Sequence, residues 1–252
     1  MLALITGASS GIGKDMARVL AKEGYHLALV ARNIQALEEL KKELESLNSS
    51  ILVSVHQCDL SFAENCYKLH EEVRNVDVLI NNAGFGTFGN FNDISLDKEI
   101  SMIDTNITAV HILTKLYLKD MMVKNTGHIM NVASIAGFLP GPLMATYYAT
   151  KNYVVSLSRA INHELRKVKS GIKISVLCPG PVNTNFNNVA GVKFGLKGLS
   201  SEFVAEYAIK QMHKGKLIIL PGFVIKIARA ICEVVPDCIK EWASYYLQKQ
   251  KM

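Results

Sequence analysis

Five cysteines occur in 252 residues (Cys58, Cys66, Cys178, Cys232 and Cys238), an odd number with no repeated C-x-x-C spacing. A disulfide scaffold is excluded, and reduced, buried thiols in a cytoplasmic compartment are expected. Long apolar runs are also lacking. The most apolar late segment, LIILPGFVIKIARAICEVV, carries Lys226, Arg229 and Glu233 and is broken by Pro221, so it falls short of the roughly 18 uncharged residues a spanning helix needs. MLALITG already reads as a strand entering a glycine loop, so a basic n-region followed by a cleavable apolar stretch is not expected. The net charge of +6 is scattered rather than gathered into a basic run, which excludes a nucleic-acid footprint and leaves either an ordinary solvated surface or an anionic ligand. The seven histidines are dispersed, and none is spaced with cysteine or carboxylate as a metal site requires.

What is present is a repeated alternation. Short β-type runs (LALIT, LALVA, ILVSVHQC, DVLIN, HIMNVA, KISVLC, KLIILP) precede stretches of helical period at 12–23, 33–47, 61–75, 95–124, 144–169, 201–213 and 222–249. Seven strands separated by helices predict an α/β, doubly wound, seven-stranded parallel sheet. The strand runs are apolar almost throughout, as expected when both faces are covered. No linker or internal repeat interrupts the chain, so 1–252 is expected to be one doubly wound domain. Within it, 181–200 is rich in Asn and Gly and reads as a loop, the start of a substrate segment at about 181–213. The apolar helical end at about 222–250 is expected to pack on the body or on a second subunit, with membrane-surface contact as the alternative.

The first strand-to-helix turn reads TGASSGIG, with Gly7, Gly11 and Gly13. Glycines at such a turn allow backbone to approach a pyrophosphate, whose charge is met by free N–H groups and the helix dipole. The second strand ends at Ala31–Arg32 instead of a carboxylate. A carboxylate there suits a ribose 2′-hydroxyl, whereas arginine suits a 2′-phosphate, so NADP(H) is favoured over NAD(H). The other reading of Arg32 is a charge that only solvates the strand end. Lys14 is a second candidate cation. Asp59 is placed either to accept from an adenine amino group or to cap the helix near Ser61.

Tyr147 and Lys151 are four residues apart at a helix start and share a face. A phenol has a free pKa of about 10. A neighbouring ammonium favours its ionised form, and when protonated it donates to a carbonyl oxygen. Ser134, after the fifth strand, is placed to hydrogen-bond a substrate oxygen. Singly each has a plain structural explanation, but glycine loop, NNAG, serine, Tyr/Lys pair and a PG after strand six follow strands in consistent order. Tyr148 lacks the spacing to Lys151 and is expected to pack or to form substrate wall.

With these motifs the chain resembles the short-chain dehydrogenase/reductase family in its NADP-preferring form, over nearly its full length. The motifs are TGASSGIG (6–13), NNAG (81–84), Asn106 in IDTNI, Ser134, the pair Tyr147 and Lys151, and PGPVNT (179–184). The resemblance implies that 1–252 is a single Rossmann-type domain with a catalytic tetrad of Asn106, Ser134, Tyr147 and Lys151, the lysine on the nicotinamide ribose and the asparagine holding a relay water. It further implies Ser9, Ser10 and Ile12 in the pyrophosphate loop, and Asn82, Ala83 and Gly84 on the adenosine-side floor. Pro179, Gly180, Val182 and Thr184 would lie against the nicotinamide. A homodimer through 95–124 and 144–169, or a homotetramer, is the expected assembly. The expected activity is NADP(H)-dependent interconversion of a carbonyl and an alcohol. Phe85, Phe88, Phe138, Leu139, Met144, Phe186 and Phe194 lie near the cleft segments and predict a small, apolar substrate. A 3-oxoacyl-thioester reductase is disfavoured by the long apolar C-terminal end. A lyase or epimerase is disfavoured by the absence of an added sugar-nucleotide domain, and a non-catalytic NADP-binding regulator by the intact tetrad.

Overall fold

The computed structural model describes residues 1–184, 186 and 198–249. Seven parallel strands form one sheet in the order β3-β2-β1-β4-β5-β6-β9: β1 Leu2–Thr6, β2 His26–Ala31, β3 Val53–Gln57, β4 Val78–Asn81, β5 His128–Val132, β6 Lys173–Leu177 and β9 Ile218–Ile219. The helices are α1 Gly11–Lys22, α2 Ile34–Leu47, α3 Ala63–Glu72, α4 Leu96–Ile103, α5 Ala109–Lys124, α6 Ala145–Lys167, α7 Ser201–His213, α8 Phe223–Val234 and α9 Asp237–Lys249. The chain winds outward from β1 to β3, returns to β4 beside β1, and winds outward the other way. Strand order therefore reverses between β1 and β4, and the crevice beyond their C-terminal ends is where such sheets take ligands.

Burial on both faces explains the near-continuous apolar strands. Ala3 and Ile5 of β1 pack with Met16, Leu20, Leu37 and Val204 from α1, α2 and α7. Leu4 packs on the other face with Leu69, Leu113 and Tyr117 from α3 and α5. Each fully buried aliphatic side chain contributes roughly 1.5–3 kcal/mol. Tyr117 is fully buried with its hydroxyl donating to the Val73 carbonyl at 2.9 Å, so no polar group is stranded there.

Four predicted segments come out differently. The expected 95–124 helix is divided by a π-helical turn at Asp104–Thr108, in which the Ala109 N–H reaches back to the Asp104 carbonyl. The expected 222–249 helix is two helices, because Pro236 lacks an N–H and drives Val235 into extended backbone (φ −81°, ψ 134°). The last strand is only two residues, and the Lys216 carbonyl accepts from the Ser175 hydroxyl at 2.8 Å. In the expected loop, β7 Val182–Asn183 pairs in parallel with β8 Leu199–Ser200. Phe194 lies outside the described residues.

The C-terminal pair packs inward through Ile225, Arg229, Ser244 and Gln248, while Phe223, Val224, Val234 and Trp242 stay exposed. No described helix is long and apolar enough to cross a membrane. All five thiols are free, but only Cys66 and Cys178 are buried; Cys238 is exposed. No group of three metal-ligating side chains occurs among the described residues.

Candidate active site

A cleft of about 710 Å³ runs along the C-terminal ends of the strands, from the glycine loop to α6. At its first end, Gly7 (φ +66°) and Gly11 (φ +56°) occupy left-handed backbone. Gly13 sits behind the cleft rather than in it: a Cβ there would stand 2.6 Å from the Gly7 carbonyl oxygen and collide with the Asn82 amide. Asn82 Nδ2 donates to the carbonyls of Thr6 (2.9 Å) and Gly7 (3.2 Å). The Asn82 and Ala83 N–H groups donate to Thr6 Oγ1 at 2.9 and 3.0 Å. NNAG is thus a latch on the glycine loop as well as part of the cleft wall.

The start of α1 carries no side-chain cap at Ser10, and neither α1 nor α2 has an acidic residue in its first turn. Both helix starts line the cleft, so their N–H groups and dipoles meet no competing carboxylate there. A Cβ at Gly11 would lie 3.0 Å from Thr184 Cγ2 and narrow the gap between the loop and the segment after β6. These features fit a pyrophosphate. Exposed Arg32 lines the same end beside Asn33, whose side chain caps α2 by accepting from the Ala36 N–H at 3.0 Å. Lys14 does not line the cleft and lies 4.0 Å from Glu43. Asp59 lines it, and its Oδ1 accepts from the Ser61 N–H (3.0 Å) and hydroxyl (2.8 Å). Since α3 begins only at Ala63, that carboxylate shapes the turn before the helix rather than its N-cap.

At the other end Ser134, Tyr147 and Lys151 converge. Ser134 accepts from the Ala136 N–H at 3.2 Å and donates to the Pro179 carbonyl at 3.4 Å, tying it to the PG segment. Tyr147 is 9% exposed and Lys151 5%. Burial pushes the Tyr147 phenol well above its ordinary range, while a hydrogen bond with Ser134 works the other way. Burial pulls the Lys151 amine down to about 8. Its Nζ donates to the Val132 carbonyl at 3.0 Å and lies 5.8 Å from the centre of the Tyr147 ring. Desolvation, opposed by Ser134 rather than by Lys151, sets the direction of the phenol in this pocket.

Asn106 stands behind the cleft in the π turn. Its Oδ1 accepts from the Phe85 N–H (3.1 Å), and its Nδ2 donates to the Phe85 carbonyl (2.9 Å) and to Thr150 Oγ1 (3.1 Å). Thr150 in turn donates to the Tyr147 carbonyl at 2.7 Å, so the asparagine braces the tyrosine's own helix turn. Gly84 makes this approach feasible, since a Cβ there would stand 2.7 Å from Asn106 Oδ1 and 3.4 Å from Lys151 Nζ.

Every other predicted site residue lines the cleft: Gly7, Ser9, Ser10, Gly11, Ile12, Arg32, Asp59, Asn82, Ala83, Gly84, Ser134, Tyr147, Lys151, Pro179, Gly180, Val182 and Thr184. Of the apolar set, Phe85, Met144 and Phe186 line it and Phe88 packs behind them. Phe138 instead lies under the Arg229 guanidinium at 4.9 Å, and Leu139 is not part of the wall. Thr6 lies in the glycine motif, but the motif does not reveal its latch role, and residues that motifs did not reveal are Gly86, Thr150 and buried Glu99, which accepts a hydrogen bond from Thr146 next to the tyrosine. Gly86 leaves the room in which Phe186 and Tyr147 pack at 5.4 Å between ring centres.

The profile of the short chain dehydrogenase family matches residues 1–193. Dehydrogenase/reductase SDR family member 11 from Homo sapiens is 32% identical over 225 residues, spanning 82% of this chain and 86% of its own. A short-chain dehydrogenase from Sphingobium yanoikuyae, solved with NADPH, is 28% identical with a TM-score of 0.83, covering 93% of this chain and 96% of its own. A short-chain dehydrogenase/reductase from Burkholderia phymatum, solved with NAD, is 25% identical with a TM-score of 0.82, covering 91% and 92%.

Proposed function

The chain belongs to the short-chain dehydrogenase/reductase family, oxidoreductases acting on CH–OH and C=O groups, and from that premise we propose that it reduces an apolar carbonyl compound with NADPH, or runs the reverse, using Tyr147 as proton donor and acceptor. The observation that carries this is the convergence of Ser134, Tyr147 and Lys151 at one end of a cleft whose other end is an uncapped glycine loop.

The loop residues Gly7 to Ile12 would hold the pyrophosphate, Arg32 a 2′-phosphate, Asp59 the adenine, and Lys151 with Pro179, Gly180, Val182 and Thr184 the nicotinamide riboside. Bound there, the nicotinamide supplies or accepts the hydride. Tyr147 meets the substrate oxygen. Because burial raises its pKa, the phenol is protonated across the neutral range and stands ready to donate as the alkoxide forms. Ser134 orients the same oxygen and shares the developing charge. Lys151, buried against Tyr147, supplies positive potential when protonated and so lowers the cost of the phenolate left behind. Asn106 has its side chain committed to Phe85 and Thr150, so it acts by bracing the helix turn that carries Tyr147. The aromatic and thioether wall of Phe85, Met144 and Phe186 favours an apolar substrate.

The test is a panel of aliphatic and aromatic ketones and aldehydes with NADPH and NADH, followed by loss of the reduced nicotinamide. Tyr147→Phe is expected to lower kcat by at least about 100-fold, the low end of general acid–base contributions, with cofactor affinity within a few-fold of wild type. Wild-type turnover retained by the variant would remove Tyr147 from the reaction. Cofactor binding without turnover on any substrate would favour a nucleotide-binding regulator.

A further inference from the structure

We propose that helix α9 backs the substrate end of the cleft from behind, with Gln248 as a positioning residue that fixes the Tyr148 ring as a specificity-determining wall. The proposal rests on the reductase reading above and extends it to a segment no motif covers. Tyr148 lines the cleft and meets Tyr147 edge-on, their ring centres 6.1 Å apart at 76°. Its hydroxyl accepts a short hydrogen bond from Gln248 Nε2, one hundred positions along the chain. Gln248 is only 2% exposed, and Ser244, one turn earlier on the same face, is also buried, whereas Trp242 of the same helix is 64% exposed. One stripe of α9 is therefore docked on the body, and it ends on the Tyr148 hydroxyl.

The root of the ring is confined as well. A Cβ at Gly141 would collide with it, and Asn152 Nδ2 holds the Tyr148 carbonyl at 2.9 Å. The Tyr148 hydroxyl is part-buried and takes Gln248 as its partner, so the placement of Gln248 favours one orientation of the ring. Burial also pushes the Tyr148 phenol up to about 12, so it stays neutral beside Tyr147 and serves as wall rather than as a second acid–base group.

Gln248→Leu, Tyr148→Phe and the double variant are compared on a graded series of alkyl aryl ketones. Each single change is expected to shift the ratio of kcat/KM between bulky and compact ketones about fivefold or more in the same direction, and the double variant no further than either single one. NADPH affinity is expected to be unchanged in all three. Fluorescence of Trp242, the sole tryptophan, reports whether α9 stays docked. The same ketones are ranked by the rise in Tm they give the NADPH-loaded proteins, a readout independent of turnover. If wild type reduces none of them, the reductase reading fails and the Tm ranking alone decides the role of Gln248. Unchanged selectivity and ranking in both single variants, or additive effects in the double variant, overturns the proposal.

Discussion

A lysine buried beside a tyrosine is expensive to keep, and Lys151 shows what that means for one residue. Its amine is pulled from an ordinary 10.5 down to about 8 because the pocket penalises its charged form. Below about pH 8 both folded and unfolded chains hold the proton, and the penalty is fully present. Between about 8 and 10.5 the unfolded chain holds it and the folded chain does not, so raising the pH favours folding. Lys151→Met is therefore expected to stabilise the protein by on the order of 2 kcal/mol at neutral pH, after subtracting the lost bond to the Val132 carbonyl. The gain should shrink across that window and vanish by its upper end, while turnover is lost. Urea unfolding of both proteins from pH 7 to pH 10 checks this; a gain that is constant with pH would mean that the amine is not the source. Stability surrendered at one site for chemistry is the expected pattern where function demands a buried charge.

Elements, rather than residues, bring the two ends of the cleft together, and their termini matter most. Asn33 caps α2 and Ser200 caps α7, each through one side-chain oxygen accepting from the third residue on (3.0 and 3.2 Å). Replacing either with alanine should cost about 1 kcal/mol. Only Asn33 lies in the cleft, beside Arg32, so only Asn33→Ala is expected also to weaken NADPH binding. Urea midpoints and cofactor titrations of the two variants separate the effects, and an equal loss of affinity in both would deny α2 any part in the cofactor end. The same elements mark how far the sequence could be read. The glycine turn, NNAG, Ser134 and the Tyr147/Lys151 pair are local patterns following strands, and each strand and helix betrays itself by apolar period. The π turn around Asn106 keeps an ordinary helical composition, so nothing in IDTNI announces it. Thr6, Thr150 and Gln248 act through contacts 44 to 100 positions away, which no local spacing encodes. Pro236 did carry a legible break, overridden by the apolar period that continues through Trp242 and Tyr246.

For the whole molecule, the sheet makes the two ends of the cleft depend on one another. β1 and β4 are hydrogen-bonded neighbours at the point where strand order reverses, so the glycine loop after β1 and the NNAG latch after β4 share one frame with Ser134 after β5. A dinucleotide lying along this crest would touch loops from every strand between β3 and β6. Ligand held that way should shift a single unfolding transition rather than protect one half. At a free concentration of about 100 times its Kd, NADPH would stabilise the folded chain by about 2.7 kcal/mol. At roughly 2–4 °C per kcal/mol for a chain of this size, that is a rise in Tm of about 5–10 °C. NADH at the same concentration should give a smaller rise, because Arg32 then has no 2′-phosphate to meet, and Arg32→Ala should bring the two rises together. Scanning calorimetry of wild type and variant with each dinucleotide decides it. Equal rises in the wild type would sink the role given to Arg32, and a second transition left unmoved by NADPH would show that the two ends of the cleft do not unfold as one unit.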